Sequence, residues 1–254
     1  MSERVFIIGM GEVGRRLGDA LVAAGAAVVP VTRVAGWERA AGAEPGVRLV
    51  CVGEDGLAAA MGRLAAVQAE RLVFVQNGWL RPLLDARPGH TRALIWFTSK
   101  ASFFHELRPS VLHGPAAASL ARGLRSGGLN CRVAGDGEFR EREAEKMGFN
   151  CVVGLPLVVR GLSLGEYLAA RRHEARAVFT EAVEVTARAL GVRARSSWWR
   201  RFLAVAGPLA WVRPSAAKAL EFRNGAVVDL AAAMSLAAPA NRELLAAVAA
   251  PSRP

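Results

Sequence analysis

Lysine is scarce in this sequence. Three of its 33 basic residues are lysine, so the other 30 are arginine, and they are scattered along the chain without forming a basic run. No aromatic-rich RNA-binding motif or zinc-finger spacing accompanies them. The net charge of +11 is therefore better explained by a biased composition and an attraction for small anionic ligands than by a nucleic-acid partner. Nucleic-acid binding is kept only as a weak alternative.

Cysteines are also few. Cys51, Cys131 and Cys151 are widely separated, lie among apolar neighbours and form no C-x-x-C pair. This pattern favours buried reduced thiols over a disulfide framework or a metal site. The four histidines show no metal-ligand spacing either, so we expect no metal.

Long apolar runs are missing, although 52% of the residues are hydrophobic. Charged residues such as Arg33 and Asp229 interrupt every candidate before it reaches the roughly 20 residues that a membrane span needs. The N-terminus leads directly into a strand-like run, Val5 to Ile8, without the charged lead and cleavage site of a signal peptide. We therefore expect a cytoplasmic protein with no membrane partner.

A glycine-rich turn is the first functional signal that is present. An apolar run typical of a buried parallel strand precedes it, and Arg15 to Ala24 predicts a helix after it. Between them a G-x-G-x-x-G pattern provides a tight turn, a close backbone approach for a pyrophosphate and close packing of helix on strand. A turn without a ligand is the alternative. The predicted dinucleotide contacts are Gly9, Met10, Gly11, Glu12, Val13 and Gly14.

The residue after the second strand predicts the type of dinucleotide. Ala27 to Val31 predicts that strand, and Arg33 follows two residues later. NAD-binding units place an acid about 20 positions past the glycine turn, whereas an arginine there suits the 2′-phosphate of NADP. No acid occurs here before Glu38. We therefore expect NADP(H), bound by Arg33, unless Arg33 is simply an exposed arginine.

Strand and helix signals alternate in the first half of the chain, and helical signals alone follow. The second half begins with a strongly charged, helix-favouring stretch from Glu138 to Lys146. A capping box at Ser163-x-x-Glu166 then opens a long predicted helix that ends at Gly191. We predict an α/β protein with an N-terminal Rossmann-type nucleotide-binding domain over residues 1–140 and a C-terminal all-helical substrate and dimerisation domain over residues 141–254. Later helices are expected over residues 198–212, 215–234 and 241–249.

Two polar motifs fit a substrate site. Asn77 follows directly on a predicted strand, where parallel sheets bind ligands, and could contact the nicotinamide ribose or the substrate; an Asn-Gly turn is the alternative. Lys146 and Asn150 are four residues apart and so share one face of a helix. A cation and an amide on one face can hold a carbonyl oxygen, unless Lys146 is a surface lysine.

These motifs together resemble the ketopantoate reductase (2-dehydropantoate 2-reductase) family over essentially the whole chain. The resemblance includes Lys146-x-x-x-Asn150 and, later, Asn224-Gly225 followed by Pro239 and Asn241. It implies NADPH-dependent reduction of ketopantoate or a related small 2-keto acid to the 2-hydroxy acid. In that family the lysine corresponding to Lys146 is the proposed general acid, and the asparagine corresponding to Asn150 holds the substrate.

The sequence departs from this family at its substrate residues. Gly154 stands where a second asparagine is usual, and Gly53-Glu54 where many members have a lysine for the cofactor phosphate. An ungapped count puts Ala219 at the place of a substrate-binding glutamate. The remaining candidates for substrate contact in this segment are Glu221 and Ser215, with Arg213 or Ser215 as a possible carboxylate ligand.

An unaltered nucleotide motif beside altered substrate residues leaves a second function open. The chain could be an NADP(H)-binding paralogue without turnover that acts as a sensor or interaction protein. The apolar C-terminal helices and Trp198-Trp199 would suit a homodimer interface, and burial in the core is an equal alternative.

Overall fold

The computed structural model describes residues 4–100 and 103–249. The chain divides into two units. The first comprises the described part of residues 1–76 and 80–139, and the second comprises residues 77–79 and the described part of 140–254.

A seven-stranded sheet organises the first unit, in the order β2-β1-β3-β4-β5-β8-β9. Its strands are short and mostly apolar, as expected for a sheet buried on both faces. Neighbours run parallel except at β5 and β8, which are antiparallel because a hairpin, β6-β7, reverses the chain between them. The strands are β1 (Arg4–Ile8), β2 (Ala27–Val31), β3 (Val47–Val50), β4 (Leu72–Phe74), β5 (Thr91–Leu94), β6 (Phe97–Lys100), β7 (Phe103–Glu106), β8 (Ser110–His113) and β9 (Cys131–Val133).

Two helices cover one face of this sheet and form the core with it. Leu17 and Leu21 of α1 pack with Leu120 and Leu124 of α5 against Ile7 of β1, and all five side chains are at most 2% exposed. The helices of the first unit are α1 (Glu12–Ala23), α2 (Trp37–Ala41), α3 (Leu57–Arg63), α4 (Arg81–Leu84) and α5 (Ala117–Ser126).

A fully buried arginine fixes the connection between β2 and β3. Arg48 lies inside the strand and donates hydrogen bonds to the carbonyl oxygens of Ala40, Gly42 and Gly46, at 2.6 to 3.0 Å. Its guanidinium also lies 4.6 Å from the ring centre of Phe6. Because these contacts satisfy the buried charge, Arg48 holds the segment that follows the Arg33 turn in place.

The second unit is helical, and an aromatic cluster forms its centre. Phe179, Trp199 and Phe202 lie within 5.4 Å of one another, ring centre to ring centre, and Phe149 of α6 joins them. The helices are α6 (Asp136–Val152), which begins in the first unit, then α7 (Leu155–Arg160), α8 (Leu164–Ala170), α9 (Arg172–Ala189), α10 (Ser197–Ala206), α11 (Asn224–Ala233) and α12 (Pro239–Ala249).

The predicted fold class is confirmed, and two helix predictions in the second unit are wrong. The helix expected over residues 215–234 exists only as α11, preceded by a 3-10 turn at Leu220–Phe222, because Ala219 adopts a left-handed backbone with φ 51°. The capping box at Ser163 is present, but the helix it opens breaks at Arg171, whose φ of −132° is not helical.

The two tryptophans considered for a dimer face differ in their burial. Trp198 is 1% exposed, and Trp199 stacks on Phe202 at 5.1 Å. Burial in the core therefore applies to Trp198, whereas Trp199 is half-buried, and the homodimer itself stays a prediction. Cys131 and Cys151 are buried free thiols as expected, whereas Cys51 is half-buried.

Within residues 4–100 and 103–249 no single helix is long and apolar enough to cross a membrane. By length and composition alone, one bent pair meets the requirement together, Asp136–Arg160 with Leu164–Ala170 at an angle of 83°.

We expect the first unit to lose stability in mild acid through His90. Burial lowers the pKa of His90 from its ordinary 6.5, and the nearby charges of Arg92 and Arg81 act in the same direction. The folded protein thus favours the neutral ring, so this contribution is fully present above pH 6.5 and is lost as the pH falls through the lowered pKa.

Urea unfolding of wild type and His90→Gln between about pH 7.5 and 5.5 checks this, because the substituted side chain cannot be protonated. The wild type should lose more free energy of unfolding over this range than the variant. The exposed His173, replaced by Gln, is the matched control. Equal pH slopes for wild type and His90→Gln would show that His90 does not contribute.

Candidate functional site

The glycine turn of the first unit has the geometry that its sequence predicts. Gly9 has φ +98°, and a Cβ there would lie 2.9 Å from the amide nitrogen of Val52. A Cβ on Gly14 would lie 2.0 Å from the carbonyl oxygen of Gly9, whereas a Cβ on Gly11 would meet nothing within 4 Å. Two of the glycines are thus required by the fold itself, and the space over Gly11 is open.

Helix α1 begins at this open space. Gly11 is its N-cap residue and provides no side-chain cap, so the first backbone N–H groups of this 12-residue helix are available to an anion together with the positive end of the helix dipole. Glu12 is exposed at the first turn, and Met10 and Val13 are half-buried beside it. The open cradle fits the pyrophosphate of a dinucleotide.

Arg33 lies at the same edge of the sheet. The ends of β1 and β2 are paired, Ile8 opposite Val31, and the amide of Gly9 donates to the carbonyl of Val31 at 3.0 Å. A turn closed by the hydrogen bond from Thr32 N to Ala35 O, 3.0 Å, then presents Arg33. Its side chain is exposed, and within the described residues it takes part in no ion pair.

Gln76 is a polar group at this edge whose role sequence reasoning did not identify. Its amide nitrogen donates to the carbonyl oxygens of Val50 and Val52, at 2.9 and 3.0 Å. Its amide oxygen is buried and has no hydrogen-bond partner among the described residues. The signal in the sequence was present, because Gln76 immediately precedes Asn77 at the end of a strand.

The pair Lys146 and Asn150 lies buried on α6 in the second unit. The two residues are 6% and 7% exposed, and Lys146 Nζ lies 4.8 Å from the ring centre of Phe149. The amide nitrogen of Asn150 has no hydrogen-bond partner among the described residues. A buried amide without a partner costs free energy, so this donor marks a place where a ligand could bind.

A glycine contact fixes α6 in this position. A Cβ on Gly148 would lie 2.6 Å from Cγ2 of Val183 and 2.8 Å from the ring of Phe179. Only glycine lets α6 approach α9 so closely without a shift of these side chains. Lys146 and Asn150, two residues to either side, are therefore carried on a helix packed tightly against its neighbour.

The side chain of Arg223 approaches Gly154, four residues beyond Asn150 in the sequence. Its Nη1 atom is 3.9 Å from the position that a Cβ on Gly154 would take. Burial raises the pKa of the Cys151 thiol to about 12, and the positive charge of Arg223 opposes this rise. The guanidinium therefore lies close to the C-terminal end of α6. Among 30 arginines no local signal distinguished this one.

Asn77 belongs to the second unit and lies beside the segment that leads to Arg223. Trp79 N donates a hydrogen bond to Phe222 O at 2.6 Å. Gly78 has φ +91°, and a Cβ there would lie 2.4 Å from the same carbonyl oxygen. The Asn-Gly turn thus has a backbone role, and this role also places Asn77 next to the Phe222-Arg223 segment.

The other predicted substrate residues are differently placed. Ser215 and Glu221 are exposed, in contrast to the buried Lys146 and Asn150, and they stay predictions. Arg213 donates to Glu166 at 2.7 Å and to the carbonyl oxygen of Gly161 at 3.1 Å, which fits its structural alternative. Among the described residues no group of three or more His, Cys, Asp or Glu side chains could hold a metal ion.

Comparison with known proteins identifies the fold. No protein-family model matches the chain, and no curated protein matches its sequence. Among solved structures, a PanE/ApbA family ketopantoate reductase from Ralstonia eutropha is 20% identical, with 97% of each chain covered and a TM-score of 0.80. A dimeric ketopantoate reductase from Staphylococcus aureus is 15% identical, with 96% of each chain covered and a TM-score of 0.77.

A third similar structure is a D-mandelate dehydrogenase in complex with NADH and anilino(oxo)acetate. It is 12% identical, covers 97% of each chain and has a TM-score of 0.76. All three likenesses span nearly the whole chain. The chain therefore has the fold of the ketopantoate reductases, in agreement with the resemblance of its motifs.

Two glycine substitutions in the turn should differ in how much stability they remove. Gly14→Ala puts a methyl group against the carbonyl oxygen of Gly9 and should lower the free energy of unfolding by about 2–3 kcal/mol, as overpacking does. Gly11→Ala enters open space and should change it by less than about 1 kcal/mol. Urea unfolding followed by circular dichroism measures both. Equal losses would contradict the separate roles of these glycines.

Proposed function

We propose that this chain is an NADPH-dependent reductase of 2-dehydropantoate (ketopantoate) or a related small 2-keto acid. The observation that carries the proposal is the buried pair Lys146 and Asn150 on one face of α6, in a chain with the ketopantoate reductase fold. An amine and an amide that converge in a buried site suit a carbonyl oxygen on which negative charge develops.

The first unit would hold the cofactor. The N–H groups at the start of α1 and the open backbone at Gly11 suit the pyrophosphate, and the exposed Arg33 suits a 2′-phosphate. The NADH bound to the D-mandelate dehydrogenase of the same fold supports a nicotinamide dinucleotide here. When bound, such a cofactor supplies a hydride for the reduction of a carbonyl carbon.

The second unit would supply the acid. Lys146 donates a hydrogen bond to the C2 carbonyl oxygen, stabilises the charge as it develops and transfers the proton that completes the hydroxyl group. Proton transfer of this kind contributes about 10²–10⁴-fold in rate. Asn150 donates its unpartnered Nδ2–H to the substrate, and Asn77 provides a further contact to the substrate or the nicotinamide ribose.

The substrate class is supported by two kinds of neighbour. Ketopantoate reductases are named for a 2-keto acid, and the D-mandelate dehydrogenase holds anilino(oxo)acetate, which is also a 2-oxo carboxylate. Both ligands place a carboxylate next to the carbonyl group. A small 2-keto acid is therefore the substrate class that we propose, with ketopantoate as its first candidate.

A nucleotide-binding paralogue without turnover is the second candidate function. The observation in its favour is the glycine at position 154 together with Ala219, where the family has polar substrate residues. Such a protein would bind NADPH and leave it unoxidised with every 2-keto acid.

Arg33→Gln should weaken NADPH binding about 10- to 100-fold, the usual loss for a charge-assisted hydrogen bond, and leave NADH binding unchanged. Fluorescence titration of both cofactors measures the two dissociation constants. Arg122→Gln, which removes an exposed arginine from α5, is the matched control and should bind both as wild type does. A parallel loss for NADPH and NADH would contradict a role for Arg33 at the 2′-phosphate.

Lys146→Met should lower kcat for ketopantoate by at least about 10²-fold and leave NADPH binding intact, because Lys146 acts on the substrate carbonyl. Lys218→Met removes an exposed lysine of the same unit and should keep the wild-type rate. A Lys146→Met variant that keeps the wild-type kcat would contradict the role of Lys146 as the general acid. Binding of NADPH without any wild-type turnover would favour the paralogue.

A further inference from the structure

Arg223 is held firmly at the start of α11. Its backbone N–H donates to Leu220 O at 3.1 Å, and its carbonyl accepts from Val227 N at 3.0 Å. The next residue, Asn224, is 1% exposed and donates through Nδ2 to the carbonyl oxygen of Cys151 at 3.2 Å. This hydrogen bond ties the start of α11 to the end of α6, so the position of Arg223 relative to Asn150 is fixed within the unit.

The glycine at position 154 borders the side chain of Arg223. The backbone of Gly154, with φ −144° and ψ −103°, is neither helical nor extended. A Cβ there would meet the carbonyl oxygen of Asn150 at 3.2 Å and Nη1 of Arg223 at 3.9 Å. A longer polar side chain would therefore extend into the space beside the guanidinium, which the glycine leaves open.

A positive charge is favoured at the position of the Arg223 guanidinium. It lies at the C-terminal end of α6, where the helix dipole favours a cation, and its field reaches the Cys151 thiol. A guanidinium binds a carboxylate with two parallel hydrogen bonds. In a 2-keto acid the carboxylate is joined directly to the carbonyl carbon, so the groups that bind the two must be neighbours. A Cβ on Gly154 would lie 3.2 Å from the carbonyl oxygen of Asn150, so these two positions are adjacent.

We propose that Arg223 binds the substrate carboxylate in the space that Gly154 leaves open, and so makes the site selective for 2-keto acids over uncharged ketones. In this chain an arginine from α11 replaces the second asparagine that the family resemblance leads one to expect on α6. The proposal rests on the proposed function of the Lys146–Asn150 site, and it adds the residue that determines substrate charge.

Steady-state kinetics with a charged and an uncharged substrate test this role. Arg223→Gln should raise KM for ketopantoate about 10- to 100-fold, the range for a lost charge-assisted hydrogen bond, and leave KM for ketopantoyl lactone, which has no carboxylate, within about twofold. Arg223→Lys keeps the charge without the fork and should fall between wild type and Arg223→Gln. Arg242→Gln removes an exposed arginine of α12 and should behave as wild type.

The outcomes separate a binding role from a structural one. Equal increases of KM for acid and lactone, or wild-type KM values in Arg223→Gln, would overturn the proposal. Thermal midpoints of the variants show whether each is folded. If Arg223→Gln does not fold, the ratio of the two KM values in Arg223→Lys decides the question in the same way.

A binding measurement separates this inference from the reductase proposal. Oxamate is a small 2-oxo carboxylate, and calorimetric titration with NADP⁺ present reports its binding without turnover. In one outcome the wild type reduces no 2-keto acid but binds oxamate, and Arg223→Gln does not bind it. This result would overturn the reductase and support the carboxylate site. If Arg223→Gln keeps both the wild-type turnover and the wild-type affinity for oxamate, the carboxylate site is overturned and the reductase proposal stands. A wild type that neither turns over nor binds oxamate would overturn both.

Discussion

A buried chain of amide hydrogen bonds holds the second unit together. Asn224 donates to the carbonyl oxygen of Cys151 and to Oδ1 of Asn241, at 3.2 and 2.9 Å. Asn241, which is fully buried, donates in turn to Val178 O and to the carboxylate of Glu181. Four helices, α6, α9, α11 and α12, thus meet through polar groups that hydrogen-bond to one another. A buried polar group that loses its hydrogen-bond partner costs about 1–3 kcal/mol. Removal of one amide from this network should therefore also destabilise its partners.

Glu181 completes this network at the start of α12. Its carboxylate accepts hydrogen bonds from the backbone N–H groups of Ala240 and Asn241, at 2.9 and 3.0 Å, where the helix dipole also favours a negative charge. The Asn224-Gly225 and Pro239-x-Asn241 motifs, which supported the family resemblance, therefore have a structural role here. They set the position of α11, and with it that of Arg223, against the end of α6.

The parts of the site that could be predicted from the sequence depend on local geometry. The glycine turn is determined by φ at Gly9 and by the contact of Gly14 with Gly9, and both follow from residue spacing. Lys146 and Asn150 share a face because four residues make about one helical turn. In the same way, the uninterrupted apolar run from Val5 to Ile8 predicted β1.

The parts that could not be predicted depend on contacts between distant residues. Arg223 is a candidate only because its side chain lies next to Gly154, and nothing near Arg223 in the sequence indicates this contact. The alanine-rich stretch before α11 favours a helix by propensity, yet the left-handed backbone at Ala219 ends any helix there. Trp198 is polar enough at one edge to suit a surface, yet it is 1% exposed in the second unit.

The most direct test of the reductase proposal is the absorbance of NADPH mixed with the wild-type protein before and after addition of ketopantoate and a panel of small 2-keto acids. We expect NADPH to bind in preference to NADH, and its nicotinamide absorbance to fall only when both the protein and a 2-keto acid are present. Bound NADPH that stays reduced with every acid of the panel, or a protein that binds no NADPH, would contradict the account.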